Sequence, residues 1–216
     1  MSITNTVVIN AAGTGTRLGL NVPKSMVEVS GKSLIHRQLM QLSFLENVTV
    51  VVGFRGRELV DHIWDVRRDV KIVINHDYLN TGTAGSFVLG ARTATNRVIS
   101  LDGDLLIETI DLVNFVQQDA NFVGVTNRKS KSPVLVELNG DKVTKMGFEV
   151  ESDLEWTGLV NIQKEIALSL GANHVFQGLD THLPISAVQV NCFEIDEPED
   201  ILNAESWLME NEMNHE

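Results

Sequence analysis

The chain has 216 residues, 43% of them hydrophobic, and a formal net charge of −12. This length suits one domain, and so acidic a surface repels nucleic-acid backbones, so we expect no nucleic-acid partner. The single cysteine, Cys192, excludes an intrachain disulfide and a cysteine-based zinc cluster. No apolar run is long enough to span a bilayer, so we expect a cytoplasmic protein without membrane insertion.

Short apolar strands alternate with amphipathic helices in the first half of the chain. The predicted strands are 7–12, 48–54, 70–75 and 96–104, and the predicted helices are 32–45, 56–66 and 83–94. This alternation indicates βαβ units, and strands without polar alternation indicate a parallel sheet buried on both faces. Because sites in such sheets lie at the carboxyl ends of the strands, the loops 11–19, 75–86 and 102–108 should converge on one cleft.

The second half of the chain has a different pattern. Strands are predicted over 121–126, 133–150, 156–162 and 189–196, and helices over 163–170 and 197–213. Asn139-Gly140 is a strong hairpin signal. We predict one Rossmann-like α/β domain over residues 1–216, with three α/β/α layers and a mostly parallel mixed sheet. Residues 1–108 form its nucleotide-binding half and residues 109–216 its acceptor-binding half.

The glycine-rich segment AAGTGTRLG (11–19) follows the first strand, where phosphate-binding loops usually lie. The dinucleotide fingerprint G-x-G-x-x-G fits Gly13 and Gly15, but the third glycine, Gly19, comes one place late. The second strand also lacks the acidic residue that would bind a ribose. SGKS (30–33) matches the end of a P-loop, but Met26 stands where the first glycine is required.

A third pattern fits the whole segment: an apolar strand, A-A-G-x-G-T-R-L, and then Pro23-Lys24. On these residues the chain resembles the nucleotidyltransferases of the sugar-nucleotide and alditol- or choline-phosphate type. The resemblance implies a glycosyltransferase-A-like fold and catalytic roles for Arg17 and Lys24. Arg17 can fork onto phosphate oxygens, and Lys24 can place a point charge beside the α-phosphoryl group. The residues implied to bind the nucleotide here are Ala11, Ala12, Gly13, Thr14, Gly15 and Thr16.

Two further segments extend the resemblance to the nucleotide and the metal. NTGTAGSFVLGA (80–91) resembles the L-G-T-A-G segment of sugar-1-phosphate nucleotidyltransferases, which places Gly82, Thr83 and Ser86 beside the nucleoside. LDGD (101–104) ends a strand with two carboxylates, a pattern that suits Mg²⁺ held together with substrate phosphates. The family match makes Asp104 a metal ligand and leaves Asp102 behind the metal or on the ribose.

The closing segment CFEIDEPEDILNAESW (192–207) resembles choline-phosphate cytidylyltransferase-like enzymes and assigns Asp196 as the second metal ligand. TGLVNI (157–162) matches the family's acceptor strand, so Trp156, Thr157 and Gly158 are candidates for acceptor binding. Lys145 is a candidate for the acceptor phosphate. Acidic and aromatic residues just before this strand suit a cationic head group such as choline or aminoethyl; they are Phe148, Glu149, Glu151, Asp153, Glu155 and Trp156.

The resemblance implies a Mg²⁺-dependent nucleotidyltransferase that moves a nucleotidyl group, with CTP favoured, from an NTP to a small phosphate or phosphonate monoester. Pyrophosphate is the leaving group. A sugar-1-phosphate uridylyl- or thymidylyltransferase is the alternative within the same class. A nucleotide-binding regulatory module without catalysis and a dinucleotide-dependent dehydrogenase stay open as alternatives of other classes, and so does a homodimer through the exposed half of the sheet.

Overall fold

A mixed β-sheet with helices on both faces forms the body of the molecule; the computed structural model describes residues 5–213. The strands are β1 (Thr6–Ala11), β2 (Glu28–Val29), β3 (Lys32–Ser33), β4 (Val48–Val52), β5 (Lys71–Ile74), β6 (Arg97–Asp102), β7 (Leu105–Ile107), β8 (Phe122–Asn127), β9 (Leu135–Asn139), β10 (Lys142–Gly147), β11 (Leu154–Gln163), β12 (Ile185–Gln189) and β13 (Cys192–Glu194). The α-helices are α1 (Leu34–Gln41), α2 (Gly56–Val66), α3 (Thr83–Ala91), α4 (Thr109–Val116), α5 (Lys164–Ser169), α6 (Val175–Leu179) and α7 (Pro198–Met213).

Within residues 5–213 the main sheet has nine strands, in the order β5-β4-β1-β6-β11-β8-β12-β10-β9. The four strands of the first half pair in parallel, as their apolar patterns predict. Strand β11 then runs antiparallel between β6 and β8, so the two halves of the chain share one sheet. Two small antiparallel pairs, β2–β3 and β7–β13, lie beside it.

Residues on neighbouring positions of β1 point to opposite faces of the sheet, as they must in an extended strand. Val7 and Ile9 belong to the core beneath α1, α2 and α4, whereas Val8 belongs to the core beneath α3, α5 and α6. Each core contains large, fully buried side chains, such as Phe115 in the first and Phe87 in the second. The predicted three-layer α/β/α arrangement with a mixed sheet is therefore confirmed.

A third, smaller core holds the C-terminal helix α7 against the first part of the chain. Ala204 packs with Leu18, Val29 and Ile195. The Asp200 carboxylate accepts hydrogen bonds from the backbone N–H groups of residues 196 and 197, which fixes the start of the helix. No helix within residues 5–213, α7 included, is long and apolar enough to cross a membrane.

Several predicted elements differ from the observed ones for local reasons. The helix predicted over 32–45 begins at Leu34, because Lys32 and Ser33 pair with β2 and the Ser33 hydroxyl caps the helix at 3.2 Å from the His36 N–H. The strand predicted over 189–196 is observed only as the short β13, Cys192–Glu194. Helices α4 and α6 and strand β12 were not predicted. The Asn139-Gly140 turn does join β9 and β10, with Gly140 at a φ of +64°.

Candidate active site

One cleft of about 390 Å³ opens at the carboxyl ends of β1 and β6. The three loops predicted to converge do so here. The glycine loop contributes Ala11, Ala12, Gly13 and Arg17, the second loop contributes Tyr78, Thr81, Gly82, Thr83 and Ser86, and the third contributes Asp102, Gly103, Asp104 and Leu105. Lys24, Glu194 and Asp196 complete the polar end of the cleft.

The glycine loop bends so that Lys24 can enter the cleft. Gly15 has a φ of +58°, in the left-handed region that favours glycine. A Cβ atom at this position would lie 2.7 Å from Cγ of Lys24, so the missing side chain makes room for the lysine stem. Thr14, Gly15 and Thr16 belong to the same loop without lining the cleft itself. The turn Thr16–Leu18 that follows carries Arg17.

Lys24 lies at the centre of a cluster of charges drawn from distant parts of the chain. Its ammonium is 2.9 Å from Oδ2 of Asp104 and also bonds Oδ1 of Asp196. Arg17 Nη1 lies 2.8 Å from Oδ2 of the same Asp196. The structure thus brings together the four residues that the resemblance assigned to catalysis and metal binding.

Sequence reasoning missed a third carboxylate, Glu194. Ligand oxygens of Asp104, Glu194 and Asp196 lie within 4.8 Å of one another. The missed signal is the spacing in E-I-D, because residues two apart in extended chain face the same side. Pairing of β13 with β7 sets Glu194 opposite Leu105, next to Asp104.

The clustering of carboxylates shifts their proton affinities. Desolvation, with a further contribution from the charge of Asp104, raises the pKa of Asp102 to about 7. Desolvation and the charges of Asp104 and Asp196 raise the pKa of Glu194 to about 8. Burial lowers the pKa of Lys24, but the neighbouring Asp104 and Asp196 outweigh it and hold that pKa above its ordinary value. A bound cation would lower both pKa values, because it favours the charged form of a neighbouring carboxylate.

The ligand atoms of this cluster are of the type that magnesium prefers. It offers carboxylate oxygens only, without thiol or imidazole, and Mg²⁺ takes one or two carboxylates together with substrate phosphates. The Lys24 ammonium already contacts Asp104 and Asp196, so the fold accommodates positive charge beside these carboxylates.

The segment predicted to contact the nucleoside is fixed by a neighbouring loop. Gly82 donates its N–H to the Ala172 carbonyl at 2.8 Å, and the Ala84 N–H bonds the Asn173 carbonyl at 2.9 Å. A Cβ atom at position 82 would lie 2.6 Å from the carbonyl carbon of Asn173. The glycine therefore leaves room for the chain's own backbone, in addition to lining the cleft. Ser86 is held at 3.1 Å by the side-chain amide of Asn75.

Part of the cleft wall is aromatic. Trp156, Thr157 and Gly158 of β11 line the cleft, together with Phe148 and Phe176. Gly158 has a φ of +82°, and a Cβ atom there would lie 2.5 Å from Asp102 Oδ2, so β11 passes directly over that carboxylate. Phe148 packs edge-on against Phe176, with their ring centroids 5.6 Å apart.

Most of the acidic residues expected around a cationic head group do not reach the cleft. Glu149, Glu151 and Asp153 are exposed and do not line it. Glu155 is buried, with 3% of its surface exposed, and its carboxylate is engaged by the backbone of residues 129–130. The structure also does not bring Lys145 to the cleft: the residue is exposed on β10, paired with the edge strand β9.

Other residues of the cleft were missed because their residue types carry no motif. They are Asn10, Ser25, Tyr78, Ser130, Ser132, His174 and Phe176. Asn10 Oδ1 and Ser25 Oγ are buried without a hydrogen-bond partner among the described residues. The Asn10 amide donates to Asp102 Oδ1 at 3.1 Å, which orients that carboxylate.

Several solved structures share this fold over nearly their whole length. An inositol-1-phosphate CTP transferase from T. maritima superposes with a TM-score of 0.78 at 20% identity, covering 98% of this chain and 97% of that one. The CTP:phosphocholine cytidylyltransferase LicC from Streptococcus pneumoniae also gives a TM-score of 0.78 at 20% identity, covering 95% of this chain and 100% of that one. HddC from Yersinia pseudotuberculosis gives 0.76 at 17% identity, covering 95% and 99%.

The fold, with its glycine loop after the first strand, places the chain in the class of NTP transferase domains. It belongs to the family of the MobA-like NTP transferase domain, whose model matches residues 7–140. Among curated relatives, the bifunctional protein GlmU of Neisseria meningitidis serogroup B is 30% identical over 155 residues, covering 68% of this chain and 33% of that protein. The chain thus spans about a third of the length of such relatives.

Proposed function

We propose that the protein is a Mg²⁺-dependent nucleotidyltransferase, with CTP as the favoured donor and a small phosphate or phosphonate monoester as the acceptor. An acceptor oxygen attacks the α-phosphorus of the NTP in line. A new P–O bond forms, the bond between the α-phosphorus and the bridging oxygen to the β-phosphate breaks, and pyrophosphate leaves. The attacking oxygen of such a monoester is ionised at neutral pH, so the reaction needs no strong general base.

The observation that carries the proposal is the contact of Lys24 with both Asp104 and Asp196 beside the glycine loop. The chief difficulty of this reaction is to bring two anions together, so positioning and charge neutralisation are the main catalytic terms. We assign Lys24 to the charge around the α-phosphorus. Arg17, whose side chain is 60% exposed, is free to leave Asp196 and bind the pyrophosphate oxygens.

Asp104 and Asp196 would hold the magnesium ion, with Glu194 beside them. When bound, Mg²⁺ supplies positive charge to the phosphate oxygens of the NTP. Asp102 lies behind this pair, buried under Gly158 and hydrogen-bonded to Asn10, and we assign it to positioning of the site or to the ribose. The backbone of 11–16 and the residues Gly82, Thr83 and Ser86 bind the nucleotide.

We place the nucleotide in residues 1–108 and the acceptor in residues 109–216, against Trp156, Thr157 and Gly158. The aromatic rings of this wall suit a quaternary ammonium such as choline through cation–π contact. A primary ammonium such as aminoethyl needs hydrogen-bond acceptors as well. The exposure of Glu149 and Glu151 away from the cleft therefore favours a choline-like head over an aminoethyl one.

A sugar-1-phosphate uridylyl- or thymidylyltransferase is the second candidate. It is favoured by the T-G-T-A-G-S segment, whose Thr81, Gly82, Thr83 and Ser86 line the cleft. The regulatory module without catalysis is disfavoured, because Arg17, Lys24, Asp104 and Asp196 are all present and in contact.

A pyrophosphate-release assay with CTP, UTP, dTTP and GTP tests the proposal. The acceptors are phosphocholine, aminoethylphosphonate, glycerol phosphate and glucose 1-phosphate. We expect release with CTP and one of the first three acceptors, dependent on Mg²⁺. Turnover with UTP or dTTP and glucose 1-phosphate supports the second candidate, and no release from any pair contradicts both.

A further inference from the structure

A basic loop, defined as residues 128–133 between β8 and β9, borders the acceptor end of the cleft. It has the sequence Arg-Lys-Ser-Lys-Ser-Pro, so it concentrates positive charge in a chain whose net charge is −12. Ser130, Ser132 and Pro133 line the cleft. The loop therefore brings the Ser132 hydroxyl to the cleft, and its lysines lie next to these lining residues in the chain.

A buried carboxylate fixes the main chain of this loop. Glu155 Oε2 accepts hydrogen bonds from the backbone N–H groups of Lys129 at 3.3 Å and Ser130 at 3.1 Å, and Oε1 accepts from the Ser130 hydroxyl at 2.8 Å. A carboxylate so deeply buried is stable only when it is fully hydrogen-bonded, so it resists any movement of the loop. The main chain at Lys129 is thus fixed by a hydrogen bond to Glu155 of β11.

Lys129 differs from the other cations around the cleft in what it contacts. Its ammonium donates to the main-chain carbonyl of Cys192, at the start of β13, the strand that ends at Glu194. No ion pair of Lys129 occurs within residues 5–213, whereas Lys24 bonds two carboxylates. Lys131 likewise pairs with acidic residues of the C-terminal segment, at 3.4 Å from Glu199. The side-chain ammonium of Lys129 therefore contacts a neutral carbonyl, while the Glu155 carboxylate bonds its main chain.

We propose that Lys129 is the cation that binds the phosphate or phosphonate group of the acceptor, with the Ser132 hydroxyl donating to the same oxygens. This inference rests on the proposed function, which requires an anionic acceptor beside the cations used for the NTP. Exchange of a carbonyl partner for a dianion strengthens the hydrogen bond of an ammonium group. The subsite selects monoester dianions over neutral alcohols, and it takes the role that the sequence suggested for Lys145.

The kinetic test compares Lys129→Met with Lys131→Met, a matched lysine on the same loop. For Lys129→Met we expect the KM of the acceptor to rise about tenfold or more, the effect of losing one charge-assisted contact, with the KM of the NTP changed less than about twofold. Lys129→Arg retains the charge and should recover most of the affinity. An unchanged acceptor KM, or an equal rise in the KM of the NTP, overturns the assignment.

Direct binding separates this inference from the proposed function. Titration calorimetry with methylphosphonate, with and without Mg²⁺ and a non-hydrolysable CTP analogue, measures the subsite without turnover. We expect wild type and Lys131→Met to bind methylphosphonate alike and Lys129→Met to bind it at least about tenfold more weakly. Equal binding by all three proteins, or no binding by wild type, overturns the subsite, whatever the pyrophosphate assay shows.

Discussion

The α-carbon of Gly82 lies against the main-chain carbonyl of Asn173, and hydrogen bonds flank this contact on both sides. The two residues belong to different halves of the chain. The loop that precedes α3 and the loop that precedes α6 are therefore joined into one wall of the cleft. A substitution at this contact therefore disturbs both loops together.

Gly82→Ala should destabilise the protein. The added methyl group overlaps the Asn173 main chain, and relief of such overpacking costs about 1–3 kcal/mol of the free energy of unfolding. Chemical denaturation measures this loss. Gly13→Ala is the control for stability alone, because no atom lies within 4 Å of a Cβ at position 13. Equal stability of Gly82→Ala and wild type would show that the two loops separate readily.

Lys24→Ala should lower kcat by about 10²–10³, because it removes a charge assigned to the α-phosphoryl group. Steady-state pyrophosphate release measures the effect, after circular dichroism has shown that the variant is folded. Lys71→Ala, on the exposed edge strand β5, is the matched lysine control. Turnover of Lys24→Ala near the wild-type rate would refute the mechanism proposed above.

Asp104→Asn and Asp196→Asn should each raise the Mg²⁺ concentration needed for half-maximal activity by about tenfold or more, the cost of losing one charged contact. Removal of divalent ions with EDTA should abolish activity, and added Mg²⁺ should restore it. Glu165→Gln on α5 removes an exposed acidic group away from the cleft and serves as the control. Unaltered magnesium dependence in both aspartate variants would exclude these residues as ligands.

The thiol of Cys192 should react slowly while the protein is folded. Burial raises its pKa from the ordinary 9.0 to about 12, so the reactive thiolate is scarce in the folded state at pH 8. The folded protein holds the thiol proton more tightly than the unfolded chain does, so the contribution of this proton to the free energy of unfolding is complete below about pH 9. It is lost progressively as the pH rises from 9 toward about 12.

Labelling with a thiol reagent at pH 8, with and without denaturant, measures the protection of Cys192. Denaturation curves from pH 8 to pH 11 for wild type and Cys192→Ala measure the linked stability. We expect the wild type to lose more stability than the variant across this range. Rapid labelling of the folded protein would contradict the buried position of the side chain.

The periodicity of apolar residues predicted the parallel half of the sheet well, because strands buried on both faces leave a continuous hydrophobic run. It did not predict β12, whose residues Ile185–Gln189 are mostly half-buried and therefore carry a weaker pattern. Helix α6 has only five residues and is stabilised by packing of Phe176 and Leu179, which is a tertiary effect.

The charged cluster was predictable because Arg17, Lys24, Asp104 and Asp196 each belong to a segment that resembles a nucleotidyltransferase motif. Glu194 was missed, although its spacing from Asp196 places both on one side of the extended chain. The acceptor end was less predictable. Whether Glu155 points into the cleft or supports a loop beneath it depends on which hydrogen bonds the sheet offers, and sequence patterns do not encode those partners.

The ion pairs of Lys24 join residues 80 and 172 positions apart along the chain. Contacts of such long range form late in folding, because the entropy of closing the intervening chain must be overcome first. A chain truncated before Asp196 leaves Lys24 with one of its two carboxylate partners. The balance of charge beside the glycine loop therefore depends on the integrity of the C-terminal segment.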